Sequence, residues 1–227
     1  MLDESLLRRM MPAAGARLDP HLPYIESALI KGCILTDAGR TPNRLAAFFA
    51  QLAHESGEYR YMQEIWGPTP AQQGYEGRAD LGNVHPGDGA RFKGHGPIQI
   101  TGRANHRACG QALGLDLERE PTLLTKPQYA TASAVWFWRF GNGARIDLNL
   151  LADRGWFKTI TRVINGGLNG LSDRRLYWDR NRALLGLPMI DLDQEAQVIK
   201  DFQRERGLLA DGDAGPKTFA ALRAAAA

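Results

Sequence analysis

Two glutamates in the first third of the chain carry the clearest potential for chemistry. Glu55 ends the apolar run "LAAFFAQLAHES", and Glu64 follows nine residues later, just before a tryptophan. A pair of carboxyl groups can cleave a glycosidic bond when one donates a proton to the leaving oxygen and the other, ionised, activates water or attacks the sugar. Apolar neighbours would disfavour the charged form of Glu55, as a general acid needs. The Gly/Pro loop beside Glu64 favours a solvated, ionised base.

The helix around Glu55 decides whether both carboxyl groups can face one substrate. On one unbroken helix the two residues would lie about 180° apart around the axis and about 13 Å apart along it. Ser56 and Gly57 are poor helix residues, and Gly57 suits a helix C-cap. We therefore expect the helix to end there and the chain to turn Glu64 back towards Glu55. The alternative is that both are surface glutamates.

Other kinds of site fit the sequence less well. "HESGE" is close to the zinc-protease pattern H-E-x-x-H, but Glu58 stands where the second histidine should be. "GHGPIQITG" lacks the G-K-[ST] ending of a phosphate-binding loop, and no strand leads into a dinucleotide fingerprint. The sequence therefore predicts neither a metal nor a cofactor.

The elements that must position these residues are mostly α-helices. Helical spacing and capping residues predict helices in "DESLLRRMM", "PHLPYIESALIKG", "TPNRLAAFFAQLAHES", "KPQYATASAVWFWRFG", "WFKTITRVING" and "DRRLYWDRNRALLG". Residues 67–96 show no sustained period, which is typical of a functional loop. "PIQIT" is the only candidate strand, and Trp136, Phe137 and Trp138 are expected in the core.

Composition indicates an ordinary globular chain. The 227 residues are 44% hydrophobic and 23% charged, which suits one domain with a small appendage. No apolar run reaches a membrane span, and the N-terminus lacks a secretory h-region. Cys33 and Cys109 are expected to be free thiols. The net charge of +3 divides into +5 for residues 1–188 and −2 for the rest. It favours an anionic partner such as a bacterial cell wall, whereas the absence of a basic stripe argues against nucleic acid.

Three motifs in order carry a resemblance to a known family. "FFAQLAHES", "FKGHGPIQITGRANH" and "VINGGLNG" together resemble glycoside hydrolase family 19, the fold of plant-type chitinases. The chain is most similar to the short phage and bacterial endolysin branch, in which "YMQEIWGPTPAQ" and "YEGRADLGN" have close counterparts. The resemblance covers about residues 1–187. It implies a mainly α, lysozyme-like catalytic domain that hydrolyses its substrate with inversion at the anomeric carbon.

The resemblance also implies roles for individual residues. The general acid falls on Glu55, the general base on Glu64, and the hydroxyl that helps to hold the attacking water on Thr101. Sugar contacts are implied at His54, Gln99, Asn105, Asn165 and Arg174, and the loop aromatics Trp66 and Tyr75 could stack on sugar faces. Amides both donate and accept, which suits sugar hydroxyl and N-acetyl groups, and Arg174 near Glu64 would favour an ionised base. The alternative for Asn105, Asn165 and Arg174 is a helix cap or a buried hydrogen bond.

The sequence departs from the family at two positions and adds a tail. His95 stands where arginine is more common, and His106 where an aromatic residue, commonly tyrosine, is usual, which leaves the exact substrate open. Beyond a boundary near "LGLPMIDLD", residues 190–227 resemble the latter half of a peptidoglycan-binding module. This segment is too short to fold securely alone, so we expect it to pack on the body.

Together these features predict an endolysin-like glycosidase that cuts β-1,4 bonds in peptidoglycan glycan strands, with muramidase activity favoured. The first alternative is a chitinase acting on N-acetylglucosamine polymers, and a second is a wall-binding protein without catalysis. The expected protein is a monomer that is not inserted in a membrane. It would be made in the host cytoplasm without a signal peptide and would reach the wall after another protein opens the membrane.

Overall fold

Helices dominate the structure, as the sequence predicts. The computed structural model describes residues 2–36 and 41–225. In these ranges the α-helices are α1 Glu4–Met10, α2 Leu22–Lys31, α3 Thr41–Ser56, α4 Pro70–Gln73, α5 Asp88–Arg91, α6 Arg103–Leu113, α7 Pro127–Trp136, α8 Leu148–Ala152, α9 Phe157–Asn165, α10 Leu171–Leu184, α11 Glu195–Glu205 and α12 Pro216–Ala224. Four short 3-10 turns and a π-helical turn, Phe137–Gly141, occur between them.

Helix α3 forms the centre of the fold and packs most extensively on α10. Eleven of its 16 residues are buried, since alanine and phenylalanine occupy nearly every face. The two helices are antiparallel, because contacts join the end of α3 to the start of α10 and the start of α3 to the end of α10. The contacts, in order along α3, are Asn43–Arg182, Ala46–Asn181, Gln51–Arg174 and His54–Asp173.

Several predicted helix ends and core residues are confirmed. Asp3 caps α1 by accepting a hydrogen bond from the backbone N–H of Leu6, and Gly32 is the C-cap of α2. Trp136 and Trp138 are buried, and Phe137 is partly buried against the core.

The predicted strand in "PIQIT" is wrong. In the part of the chain that the structure describes, extended pairing is limited to isolated bridges, in which His95 pairs with Gln63 and with Ile100. The loop at residues 67–96 contains two four-residue helices, α4 and α5, that the sequence analysis did not predict. Helices α6 and α8 were likewise not predicted from the sequence.

The C-terminal segment packs on the body, as predicted from its size. Its two helices, α11 and α12, flank a tight turn. Glu195 of α11 accepts hydrogen bonds from the backbone N–H groups of Lys158 (2.7 Å) and Thr159 (2.8 Å) at the start of α9. The ring of Phe202 meets Trp156 edge-on, with centroids 5.5 Å apart. Buried side chains of the segment thus join the core of the body.

Both cysteines are free thiols, Cys33 exposed and Cys109 buried. Burial raises the pKa of the Cys109 thiol to about 12. None of the helices in the described ranges has the length and hydropathy of a membrane span.

Candidate functional site

The predicted bend after Glu55 is present. Helix α3 ends at Ser56, and Gly57, Glu58 and Tyr59 follow with φ angles of 54°, 57° and 62°. Three consecutive left-handed residues cannot continue a right-handed helix. The Ser56 hydroxyl stabilises the turn by accepting a hydrogen bond from the Tyr59 N–H at 2.9 Å. Glu64 therefore lies on a separate element from Glu55, beyond the bend.

Three side chains at or just after the end of α3 each contact one side chain in the first two turns of α10. The antiparallel packing of the two helices produces this register. The pairs are His54 Nδ1 with Asp173 Oδ2 at 2.6 Å, Glu55 Oε1 with Arg174 Nη2 at 2.5 Å, and Glu58 Oε1 with the Tyr177 hydroxyl, which donates at 2.6 Å.

The position of Arg174 corrects the sequence analysis. It was expected near Glu64, but it forms its ion pair with Glu55. The reason is that Arg174 lies in the first turn of α10, which faces the end of α3. Its side chain is only 1% exposed and the Glu55 side chain is 20% exposed, so the pair is largely shielded from water. A guanidinium thus contacts the Glu55 carboxylate in addition to the apolar neighbours expected from the sequence.

Glu64 lies on an extended segment and is surrounded by hydrogen-bond donors. Its Oε1 accepts from Gln72 Nε2 at 2.9 Å and from the Tyr75 hydroxyl at 3.4 Å. Its Oε2 accepts from the Gly94 N–H at 3.0 Å. Burial and the adjacent Glu64 carboxylate raise the pKa of Tyr75, so its hydroxyl keeps the proton that it donates. The three donors hold this half-buried carboxylate in a defined orientation, with both of its oxygens acting as hydrogen-bond acceptors.

Gln72 is a site residue that the sequence analysis missed. Its Oε1 accepts from the N–H groups of Gly67 (3.1 Å) and Thr69 (2.8 Å), which directs Nε2 towards Glu64. Thr69 and Gln72 form a capping box at the start of α4. The pattern T-x-x-Q is visible in the sequence and is a known helix-start signature, so it could have revealed this residue.

The predicted residues Gln99, Thr101 and Asn105 lie together on one loop and the helix that follows it. The Thr101 hydroxyl donates to the Gln99 carbonyl at 3.0 Å, and the Asn105 amide donates to the Thr101 carbonyl at 2.8 Å. Gln99, with φ of 54°, donates from Nε2 to the Tyr61 carbonyl at 3.1 Å. The loop thus adjoins the segment that carries Glu64. Contacts of these side chains with water or sugar remain predictions.

The other predicted residues are distributed around this region. Trp66 and Tyr75 are half-buried neighbours, with ring centroids 6.3 Å apart. The His54 ring lies over Gly170, where an added Cβ would come within 2.4 Å of it. Asn165 is the exposed last residue of α9. The predicted sugar contact of Asn165 stays a prediction.

The two histidines that depart from the family pattern form a buried pair. His106 Nδ1 lies 2.8 Å from the Gly102 carbonyl, so this nitrogen carries the proton and Nε2 accepts from His95 Nδ1 at 3.1 Å. Burial lowers the pKa of His95 to about 3 and that of His106 to about 4. Both rings are therefore neutral near pH 7. They support the backbone between Gly94 and Thr101.

Among the described residues, no group of three or more His, Cys, Asp or Glu side chains has an arrangement that could hold a metal ion. The site offers instead two carboxyl groups on separate elements. Glu55 lies beside the Arg174 guanidinium, and Glu64 lies among hydrogen-bond donors. A hydroxyl and several amides lie nearby. This set can exchange protons and bind polyhydroxylated groups.

Comparisons with known proteins identify the family of the chain. The family model described as chitinase class I matches residues 30–147, and a peptidoglycan binding domain model matches residues 194–222. An endochitinase of Arabidopsis thaliana is 35% identical over 62% of this chain and 52% of its own length. A glycosyl hydrolase family 19 domain-containing protein of Haemophilus influenzae is 31% identical over 58% of this chain and 76% of its own length. The chain spans about half the length of the plant relatives it matches.

Solved structures show the same fold. Chitinase C from Streptomyces griseus superposes with a TM-score of 0.67 at 25% identity, covering 84% of this chain and 79% of that one. A class IV chitinase from Zea mays gives a TM-score of 0.62 at 22% identity, covering 84% of this chain and 96% of that one.

Proposed function

The chain belongs to glycoside hydrolase family 19, the class I chitinase family, and from that premise we propose that it is an endolysin-like glycosidase of bacterial peptidoglycan. The proposed reaction is hydrolysis of β-1,4 bonds in the glycan strands, with the N-acetylmuramic acid linkage preferred. The observation that carries this choice is the C-terminal segment. It matches a peptidoglycan binding domain and packs directly on the glycosidase body through Glu195.

In the proposed mechanism Glu55 is the general acid and Glu64 the general base. Glu55 protonates the leaving oxygen, and the carboxylate that results is stabilised by Arg174 at 2.5 Å. Glu64 takes a proton from the attacking water, which approaches from the opposite face of the sugar, so the product is inverted. Gln72 and the Gly94 N–H hold the Glu64 carboxylate in place for this step.

The remaining residues position substrate and water. The Thr101 hydroxyl orients the attacking water without adding charge, and Gln99, Asn105 and Asn165 bind hydroxyl and N-acetyl groups. Trp66 and Tyr75 stack on sugar faces, and His54, held by Asp173, completes the wall of the subsite beside Glu55. A wall substrate would place the action of the protein in the periplasm of a bacterium, after release from the cytoplasm in which it is made. The protein is expected to work as a monomer.

A chitinase acting on N-acetylglucosamine polymers is the second candidate. The names of the relatives favour it, because the plant proteins are endochitinases and the solved neighbours are chitinases. The same two glutamates would perform the same chemistry. The candidates differ in the polymer that is cut.

Product analysis separates the candidates. We expect purified peptidoglycan to be digested to fragments with new N-acetylmuramic acid reducing ends, identified by mass spectrometry. New N-acetylglucosamine ends would instead identify a glucosaminidase. Turnover of chitin oligomers with peptidoglycan left intact would overturn the proposal in favour of a chitinase.

Replacement of the acid tests catalysis itself. Glu55→Gln should lower the rate of peptidoglycan digestion by about 10²–10⁴-fold, while sedimentation of the protein with the wall persists. Glu26→Gln, an exposed glutamate of α2, serves as the matched control and should keep wild-type activity. Digestion by Glu55→Gln at the wild-type rate would show that Glu55 is not the general acid. Wall binding without any digestion by the wild type would favour a wall-binding protein whose glutamates only line a groove.

A further inference from the structure

A chain of buried polar side chains lies behind Glu55. Gln51 and Thr161 are completely buried, and Arg174 is 1% exposed. Gln51 lies one helical turn before Glu55 in an otherwise apolar part of α3, and Thr161 belongs to α9. Polar groups buried this deeply are costly unless they are hydrogen-bonded, so their presence indicates a defined arrangement.

The hydrogen bonds fix the orientation of the Gln51 amide. Arg174 Nη1 donates to Gln51 Oε1 at 2.5 Å, and Gln51 Nε2 donates to Thr161 Oγ1 at 2.9 Å. The Thr161 hydroxyl in turn donates to the Phe157 carbonyl at 3.0 Å. A guanidinium has donors only, so the amide oxygen must face Arg174. Thr161 therefore holds Gln51 in the one orientation that accepts from the arginine.

The Arg174 guanidinium contacts three partners. Nη1 donates to Gln51 Oε1 and Nε donates to the Asn169 carbonyl at 3.3 Å, while Nη2 forms the ion pair with Glu55 Oε1 at 2.5 Å without the geometry of a hydrogen bond. Without an acceptor at Gln51, the buried Nη1 would lose its partner. The guanidinium would then be more stable with both terminal nitrogens turned towards the Glu55 carboxylate, because bidentate pairing is the preferred geometry of arginine with carboxylates.

We propose that Gln51 is a positioning residue, which holds Arg174 so that only part of its hydrogen-bonding capacity is directed at Glu55. The inference rests on the proposed role of Glu55 as the general acid. A general acid must carry a proton before the reaction and a charge after it. A fully engaged arginine would favour the charged form too strongly, and an absent one would leave the product carboxylate unsupported. Gln51 is suited to this task because it is a neutral acceptor.

Arg174 is the charged side chain that most strongly influences the Glu55 carboxyl group. Among the ion pairs of the described residues, only Arg174 reaches Glu55. The other titratable or charged groups facing this region already have partners or lie beyond the end of α3. They are His54 on α3, Asp173 and Tyr177 on α10, and Glu58 and Glu64 after the end of α3. The side chain that α9 contributes, Thr161, is neutral.

Two substitutions of Gln51 should move the titration of Glu55 in opposite directions. Gln51→Glu adds a negative charge that engages Arg174, so the proton of Glu55 should persist to higher pH by about one pH unit. Gln51→Met removes the acceptor and frees Arg174 for Glu55, so the titration should move to lower pH by a similar amount. The readout is the ¹³C NMR titration of the Glu55 carboxyl carbon, assigned by its loss in Glu55→Gln.

The second readout is the pH dependence of kcat/KM on the polymer that the wild type cleaves. Its alkaline limb should follow the NMR midpoint in each variant, and kcat should change more than KM. NMR midpoints that move without a change in the alkaline limb would show that Gln51 positions Arg174 but that Glu55 is not the acid. NMR midpoints that stay at the wild-type value in both variants would overturn the inference.

Further variants separate positioning from stability. Asn181→Ala removes another buried polar link between α3 and α10, in which the Asn181 amide donates to the Ala46 carbonyl at 3.3 Å. It should lower the free energy of unfolding without moving the Glu55 titration. If Gln51→Met does not fold, Thr161→Val tests the same chain, because it releases the Gln51 amide and should shift the titration in the same direction. Thr161→Ser keeps the hydroxyl and should restore the wild-type value, and a shift equal to that of Thr161→Val would contradict the inference.

Discussion

The buried pair of His95 and His106 makes the stability of the protein depend on pH. The hydrogen bonds of the pair require both rings to be neutral, because His106 donates to the Gly102 carbonyl and accepts from His95. An unfolded histidine titrates near pH 6.5, whereas burial lowers the pKa of these two to about 3 and about 4. Below pH 6.5 the unfolded chain therefore binds protons that the native protein does not.

This pair predicts a loss of stability in weak acid. As the pH falls from 6.5 towards 4, each histidine should reduce the free energy of unfolding by about 1.4 kcal/mol per pH unit. His106→Tyr, which places the more common family residue at this position, should flatten that dependence. Urea unfolding at pH 7, 6 and 5 measures it, and His85→Gln, at an exposed histidine, should retain the wild-type slope. Equal slopes in all three proteins would show that the pair does not control acid stability.

At the residue scale, the sequence identified the acidic groups but not their partners. The apolar run before Glu55 and the Ser56-Gly57 break were enough to predict a helix end followed by a second carboxylate. The partner of Arg174 was predicted wrongly, because it depends on the register between two helices more than one hundred residues apart along the chain. Gln51 was missed for the same reason, since its partners, Arg174 and Thr161, come from α10 and α9.

At the element scale, α6 is flanked by two glycines, Gly102 and Gly114, that differ in how well they would tolerate a side chain. Gly102, which precedes the helix, has φ of 93° and ψ of 144°, a combination that is essentially restricted to glycine. A Cβ there would lie 2.7 Å from the Leu81 carbonyl oxygen. Gly114, at the other end, has φ of 71° and ψ of 34°, and an added Cβ would meet nothing within 4 Å.

The contrast predicts different effects for the same substitution at the two ends of α6. Gly114→Ala should cost about 1 kcal/mol of stability through its left-handed backbone alone. Gly102→Ala should cost more, because the backbone of Leu81 must also move, and the adjacent Thr101 should shift enough to lower kcat. Thermal unfolding and steady-state kinetics on the cleaved polymer measure the two effects. If Gly102→Ala matches Gly114→Ala in both, the close approach to Leu81 does not constrain the site loop.

Long elements were predictable from the sequence and short ones were not. Helices α3 and α10 have 16 and 14 residues, which is long enough for a helical period to show in the sequence. Helices α4 and α5 have four residues each, which is little more than one turn and too short to show a period. Alternation in "PIQIT" indicated a strand, but Gln99 adopts a left-handed conformation there, so the segment forms only isolated bridges.

At the scale of the whole molecule, the C-terminal segment behaves as part of the body. Glu195 accepts from two N–H groups at the start of α9 and from the Thr159 hydroxyl at 2.8 Å. These N–H groups have no partner within their own helix. A helix of the body is thus capped by a residue of the segment, and Lys158 also forms an ion pair with Asp193 at 3.0 Å. The stability of the two parts should therefore be coupled.

Removal of this cap should destabilise the protein. Glu195→Ala leaves the first N–H groups of α9 without an acceptor, and loss of a helix cap typically costs about 1–2 kcal/mol. Urea unfolding monitored by tryptophan fluorescence measures the change, because Trp156 lies against Phe202 at this interface. Glu205→Ala, at an exposed glutamate of the same helix, is the matched control and should change stability by less than about 0.5 kcal/mol. Equal unfolding midpoints for the two variants would show that the Glu195 cap contributes little to the stability of the body.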